Sequence, residues 1–263
     1  MPVLRTDHLS LAYDGTPVVS ELSVEIPAGR ITVIVGANAS GKSTLLRGLA
    51  RLLTPKGGTV YLDDVDLARL SGGALATKLG MLPQQPVAPD GITVSDLVGR
   101  GRHPHQRWFR QWSEEDERVV AAALQSTGTA DLADRSLDEL SGGQRQRVWI
   151  ALALAQDAET MLLDEPTTFL DLAHQLEILD LVQDLNRERG KTIVLVLHDL
   201  NLATRYADHL IALKRGEVVA AGNPTEVVTA AVVEQVFGLS CEVIEDPLTG
   251  TPLVLPRPRR SLR

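Results

Sequence analysis

Apolar and polar positions change their rhythm several times along the chain, and each change predicts an element. Residues 3–13 and 18–26 alternate around Asp14-Gly15-Thr16-Pro17 and predict two short strands joined by a turn. The β-branched run 31–35 has no polar face and predicts a strand buried on both sides. Apolar residues then recur at helical spacing over 45–53, until Thr54-Pro55-Lys56-Gly57-Gly58 stops them. A strand at 59–62 leads into the loop Asp63-Asp64-Val65-Asp66, and an apolar strand at 79–85 ends in Gln84 and Gln85. After a Pro-rich link at 86–90, Thr93 caps one helix, and Ser113 opens another with Glu114, Glu115 and Asp116 in its first turn. An apolar helix at 148–155, a strand at 161–164, an amphipathic helix at 173–188 and a strand at 192–197 complete the pattern. Buried strands alternating with helices predict an α/β fold, with a mainly helical insertion over about 92–140.

Composition narrows the class without changing this outline. A chain of 263 residues, 44% hydrophobic and 23% charged, can bury a full core. Its net charge of -8 argues against a nucleic-acid binder, which would more often be basic. Cys241 is the sole cysteine, so an internal disulfide is excluded, and a small buried apolar role suits it. Neither a signal-peptide core at the N-terminus nor an apolar run of membrane-spanning length is present, so a cytosolic protein is expected.

Chemistry enters between the strand at 31–35 and the helix after it. Gly36-Ala37-Asn38-Ala39-Ser40-Gly41-Lys42-Ser43-Thr44 has the glycine spacing of a phosphate loop, in the strand–loop–helix setting that pattern needs. Backbone N–H groups and the positive end of the following helix suit such a loop to phosphates. Lys42 then reaches the β- and γ-phosphates, Ser43 offers a hydroxyl to Mg²⁺, and Thr44 adds bonds further back. Ala37 and Ala39 are small enough to leave the backbone approachable.

Further candidates lie along the chain. Tyr13, at a strand end, can stack on a base or pack in the core. Gln84 is an amide where a strand ends, either at the surface or in a site. Leu140-Ser141-Gly142-Gly143-Gln144 precedes a helix and offers N–H groups to an anion. Asp164 and Glu165 end a buried strand, where one carboxylate can orient Mg²⁺ and the next can accept a proton from attacking water. His198 ends another strand and suits a γ-phosphate contact. Residues 99–112 interleave Arg100, Arg102, Arg107 and Arg110 with Trp108, Phe109 and Trp112, which is the composition of a partner surface. His103 and His105 lack the ligands that would complete a metal site. The basic end at 257–263 reads as a frayed tail.

Taken in order, the phosphate loop, Gln84, the Leu140–Gln144 stretch, Asp164-Glu165, Leu170-Asp171 and His198 resemble an ATP-binding cassette (ABC) ATPase over about residues 3–239. The resemblance implies a P-loop NTPase core with an N-terminal antiparallel β-subdomain and an inserted α-helical subdomain. Residues 1–239 would form that domain, and 240–263 a C-terminal extension with a basic tail. It also implies that Tyr13 stacks on adenine, Gln84 senses Mg²⁺ and the transport partner, Asp164 supports Mg²⁺, and Glu165 polarises water. Ser141, Gly142, Gly143 and Gln144 would close over ATP held by a second copy, with Asp171 linking the two sites. Gly101-Arg102-His103-Pro104-His105, Leu197 to Asn201 and the tail with Asp246 to Pro252 are similar to importers of iron chelates, above all of the ferric enterobactin type. Vitamin B12 and haem importers share much of this pattern. The implied assembly is a homodimer on two membrane permease subunits, at the cytoplasmic face of the inner membrane. An extracytoplasmic siderophore-binding protein would deliver cargo, with no nucleic acid involved. A soluble ABC protein of DNA repair or translation would need a coiled-coil insertion or tandem cassettes, and neither pattern is here.

Overall fold

A computed structural model describes residues 2–106, 112–168 and 170–258. Its contacts divide the chain into two compact units, Met1–Ala68 with Val194–Arg263, and Arg69–Ile193.

The first unit opens with β1 (Pro2–Tyr13), β2 (Thr16–Leu22) and β3 (Glu25–Pro27), then β4 (Ile31–Gly36), α1 (Lys42–Leu49), β5 (Gly57–Leu62) and β6 (Val65–Asp66). β1 pairs antiparallel with β2, β3 and β5, forming a sheet of order β2-β1-β5-β6. The alternation expected to give one strand over 18–26 gives two instead. The hydroxyl of Thr6 accepts from Val24 N and donates to Leu22 O, at 3.0 and 2.9 Å, and so interrupts the ladder between β2 and β3. Helix α1 starts at Lys42 and ends at Leu49, short of residue 53. Arg51 takes a left-handed φ of 57°, and the amides of Leu52 and Leu53 turn back to Arg47 O.

The second unit contains α2 (Gly72–Lys78), β7 (Leu79–Leu82), α3 (Val94–Gly99), α4 (Glu114–Ser126), α5 (Gly142–Ala155), β8 (Thr160–Asp164) and α6 (Leu172–Arg189). β7 stops at Leu82, before residue 85, because Pro83 has no N–H for a ladder. It pairs in parallel with β8, matching Leu82 to Leu163, so both strands end at the same level. Helices α3, α4 and α5 pack on one another. Thr93 and Ser113 cap α3 and α4 as their spacing predicts, Ser113 within a full capping box with Asp116. Helix α5 begins at Gly142, earlier than the apolar run at 148–155 indicates, because Ser141 and Gln144 form another capping box that carries the glycines into its first turn.

β9 (Thr192–Val196) lies at the boundary of the two units. The chain returns to the first unit with α7 (Leu200–Tyr206), β10 (His209–Lys214), β11 (Glu217–Gly222), α8 (Pro224–Val227), α9 (Ala230–Phe237), β12 (Cys241–Glu245) and β13 (Pro252–Pro256). β4 runs parallel to β10, which separates it from the edge strand β11, and is buried along its whole length. Cys241 is buried. Burial pushes its thiol above the ordinary cysteine value.

Two expectations about exposed basic residues are corrected. Arg102 is buried: Nε donates to Asp116 Oδ1 at 2.8 Å and Nη1 to Ala155 O at 2.9 Å. Together with Nε2 of His105, which donates to Gln156 O at 2.7 Å, it holds residues 100–105 against the C-terminal carbonyls of α5. Trp112 is half exposed and its ring lies over Gly99, while Arg107, Trp108, Phe109 and Arg110 lie outside the described residues. Arg257 is not frayed: its N donates to Ser240 O and its guanidinium pairs with Glu242, at 2.9 and 2.8 Å.

Candidate functional site

In the first unit the phosphate loop is shaped by main chain. A Cβ on Gly36 would stand 2.4 Å from Leu213 O and 2.5 Å from Ser40 Oγ, so no side chain fits there. Ser40 N donates to Ala37 O at 3.1 Å, closing a turn, and Gly216 N donates to Ser40 O at 2.9 Å, tying it to the turn after β10. Ala39 and Gly41 take positive φ of 60° and 100°. Gly41 is the N-cap of α1 and makes no side-chain cap bond, so the positive end of the helix dipole opens onto the loop. Lys42 is buried and donates through Nζ to Gly36 O and Ala37 O, at 2.9 and 3.2 Å, so its charge sits within the loop. Ser43 is half-buried beside it, Thr44 is buried and Asn38 is exposed.

Tyr13 ends β1 with 38% of its surface exposed, and its hydroxyl accepts from Arg47 Nη1 at 3.2 Å, so core packing does not explain it. His198 is exposed, two residues past the end of β9 and directly after the buried Leu197. Leu197 N donates to Ile34 O at 3.3 Å, and Asp199 Oδ1 caps α7 by accepting from Asn201 N and Leu202 N, at 2.8 and 2.9 Å.

In the second unit, side chains do the positioning. The matched ends of β7 and β8 bring Gln84 to Glu165, 81 residues apart, and Nε2 donates to Glu165 Oε2 at 2.5 Å. Thr168 Oγ1 donates to the same oxygen at 3.1 Å. Asp164 and Glu165 are both buried, and Glu165 takes a left-handed φ of 52°. That conformation costs a non-glycine residue roughly 1–3 kcal/mol, and it falls at the residue directly after β8. Gly142 has open space around it, while a Cβ on Gly143 would meet His174 Cδ2 at 2.7 Å. The same imidazole donates through Nδ1 to Asp171 Oδ1 at 2.7 Å, and Asp171 caps α6 by accepting from His174 N at 3.0 Å. The backbone amide and then the ring of His174 hold the Asp171 carboxyl below its ordinary value.

The Ser141–Gln144 stretch and Asp171 are thus neighbours through His174, a residue the motif reading missed. Its signal was Asp171-x-x-His174, the spacing at which an N-cap reaches the third helical residue. Thr168, three residues after Glu165, was missed for want of any pattern that demands it.

An anion loop with a buried lysine, and a strained buried carboxylate held by an amide, define a nucleotide-hydrolysing P-loop protein of α/β architecture. The family model described as ABC transporter matches residues 19–168, and the chain belongs to that family. It is 53% identical to the ferric enterobactin transport ATP-binding protein FepC of Escherichia coli, over 98% of this chain and 95% of that one. It is 41% identical to the hemin import ATP-binding protein HmuV of Rhodococcus jostii, over 97% of this chain and 86% of that one. Among solved structures it superposes at a TM-score of 0.84, with 28% identity and 98% of both chains covered, on what has been named a metal-chelate type ABC transporter facing inward.

Proposed function

We propose that this chain is the ATP-hydrolysing subunit of an ABC importer that energises uptake of a ferric siderophore, enterobactin-like, through a membrane permease. The observation that supports a siderophore cargo over haem is the order of identities, 53% to the enterobactin relative against 41% to the hemin one. The observation that supports the chemistry is the buried Glu165, held by Gln84 and Thr168 with one oxygen and strained into position.

Residues 36–44 would cradle the ATP phosphates, Lys42 would meet the β- and γ-phosphates, and Tyr13 would stack on adenine. Glu165 would take the proton of the attacking water, Gln84 would sense Mg²⁺ and the transport partner, and His198 would touch the γ-phosphate. Ser43, Asp164 and Gln84 would each offer Mg²⁺ a hard oxygen donor, Gln84 through Oε1 because its Nε2 donates to Glu165. The ion, when bound, supplies charge neutralisation on the phosphates. Residues 141–144 and Asp171 would face ATP held by a second copy. The working assembly would be a homodimer on two permease subunits at the cytoplasmic face, supplied by an extracytoplasmic binding protein. Among the described residues no helix is long and apolar enough to cross a membrane.

Reconstitution with the cognate permease tests the cargo. ATPase activity should be stimulated by a binding protein loaded with a ferric siderophore. Stimulation by cobalamin or haem alone would overturn the assignment.

A further inference from the structure

The C-terminal hairpin has no role in the reading above, yet it is tied to the turn that carries His198. Antiparallel β12 and β13 match Val243 to Val254, Glu242 to Leu255 and Ile244 to Leu253. In such a ladder, alternate residues direct both backbone groups to opposite sides of the strand. The outward groups of β13 therefore belong to Pro252, Val254 and Pro256. Two of these three lack an N–H, which blunts the edge against stray pairing and leaves Val254 its single outward donor.

That donor is used. Val254 N donates to Asn201 Oδ1 at 2.8 Å, and Asn201 Nδ2 donates to Val254 O at 3.3 Å, so one side-chain amide stands in for a neighbouring strand. The next outward carbonyl, Pro252 O, accepts from the buried Thr204 Oγ1 at 2.8 Å. Asn201 and Thr204 both lie on α7. At seven residues this helix is too short to hold its shape by its own hydrogen bonds. Its first turn is continuous with His198 through the Asp199 cap, which binds the backbone N of Asn201 itself.

We propose that the C-terminal hairpin braces the His198 turn, and that Asn201 is the positioning residue through which it acts. The inference rests on the reading of His198 as the γ-phosphate contact. A brace of this kind governs the reacting geometry more than the grip on nucleotide, because the phosphate loop is held by other bonds. Misplacing a reacting group by about 1 Å can cost on the order of 100-fold in rate.

The test is MgATP turnover by the full-length subunit assembled with its permease, in a double-mutant cycle of Asn201→Ala and His198→Ala. Asn201→Ala should lower kcat about tenfold with KM within about twofold of wild type. Asn201→Asp, which keeps the acceptor for Val254 N–H, should fall between the two. In the His198→Ala background, Asn201→Ala should add nothing. An equal loss in both backgrounds, or a loss confined to KM, would overturn the brace. Unchanged turnover in His198→Ala would overturn the γ-phosphate reading and the brace with it. Reduced turnover in His198→Ala beside normal turnover in Asn201→Ala would overturn the brace alone. Should Asn201→Ala not fold, Thr204→Val removes the neighbouring bond at constant volume and should give the same kcat-over-KM split, smaller in size.

Discussion

The two units hold their functional residues by different means. The phosphate loop is a main-chain device: glycine at 36, turns closed by amides, and a lysine whose charge is answered by carbonyls. The second unit relies on named side chains: Gln84 and Thr168 on Glu165, His174 on Asp171, Gln144 on Ser141, Arg102 on Asp116. Main-chain recognition tolerates a change of side chain as long as the backbone can keep its path, which is why alanine serves at 37 and 39. Side-chain positioning tolerates no such change, since each partner leaves an unpaired group behind when removed.

The largest effect expected from this contrast is at Glu165. Glu165→Gln keeps the volume and loses the base, and should lower kcat by about 10³-fold while ATP still binds. Undiminished steady-state turnover would remove the assigned role. Next is the buried pair in the second unit. Burial alone would raise the Asp116 carboxyl, but bonds from Arg102 and Ser113 outweigh it and hold its pKa below the ordinary 3.8. The stability it contributes is therefore complete above that value and is lost as pH falls through the lower folded one. Asp116→Asn should cost about 3 kcal/mol near neutrality and flatten the acid limb of a denaturation series. An unchanged acid limb would show that the pair is not what titrates.

Gly36→Ala, the main-chain counterpart, should weaken nucleotide binding roughly 30-fold, or about 2 kcal/mol, measured by calorimetry. Equal affinity would mean that the loop depends less on its backbone path than the contact with Leu213 implies. The smallest effect is at Ala39, whose left-handed φ costs an alanine about 1–2 kcal/mol. Glycine would recover that and lose up to about 1 kcal/mol to unfolded-chain entropy, so Ala39→Gly should stabilise by about 0.5 kcal/mol without altering affinity. A clear loss of stability there would put the loop's backbone elsewhere.

The same contrast explains what was legible in the sequence. The phosphate loop could be read directly because local glycine spacing and flanking periodicity carry it. So could the caps at Thr93 and Ser113, which act over three residues. The start of α5 could not, since glycine disfavours helix and only the Ser141–Gln144 box overrides it. The burial of Arg102 could not either: its partners, Asp116 and the carbonyl of Ala155, lie 14 and 53 residues away, and an isolated arginine is ordinarily exposed. Asn201 was legible as part of a resemblance, but not as a partner of Val254, 53 residues on. Residues that act through distant partners leave no local trace.

Helix α5 has one more consequence. Its fourteen residues make a rod of about 21 Å. At one end, Arg102 and His105 grip the carbonyls of Ala155 and Gln156; at the other, Ser141 and Gln144 lock the first turn. A push on residues 100–105 cannot be absorbed at the gripped end without breaking a bond from a buried guanidinium. With both ends pinned by side chains, the length of this helix sets the span between residues 100–105 and Ser141.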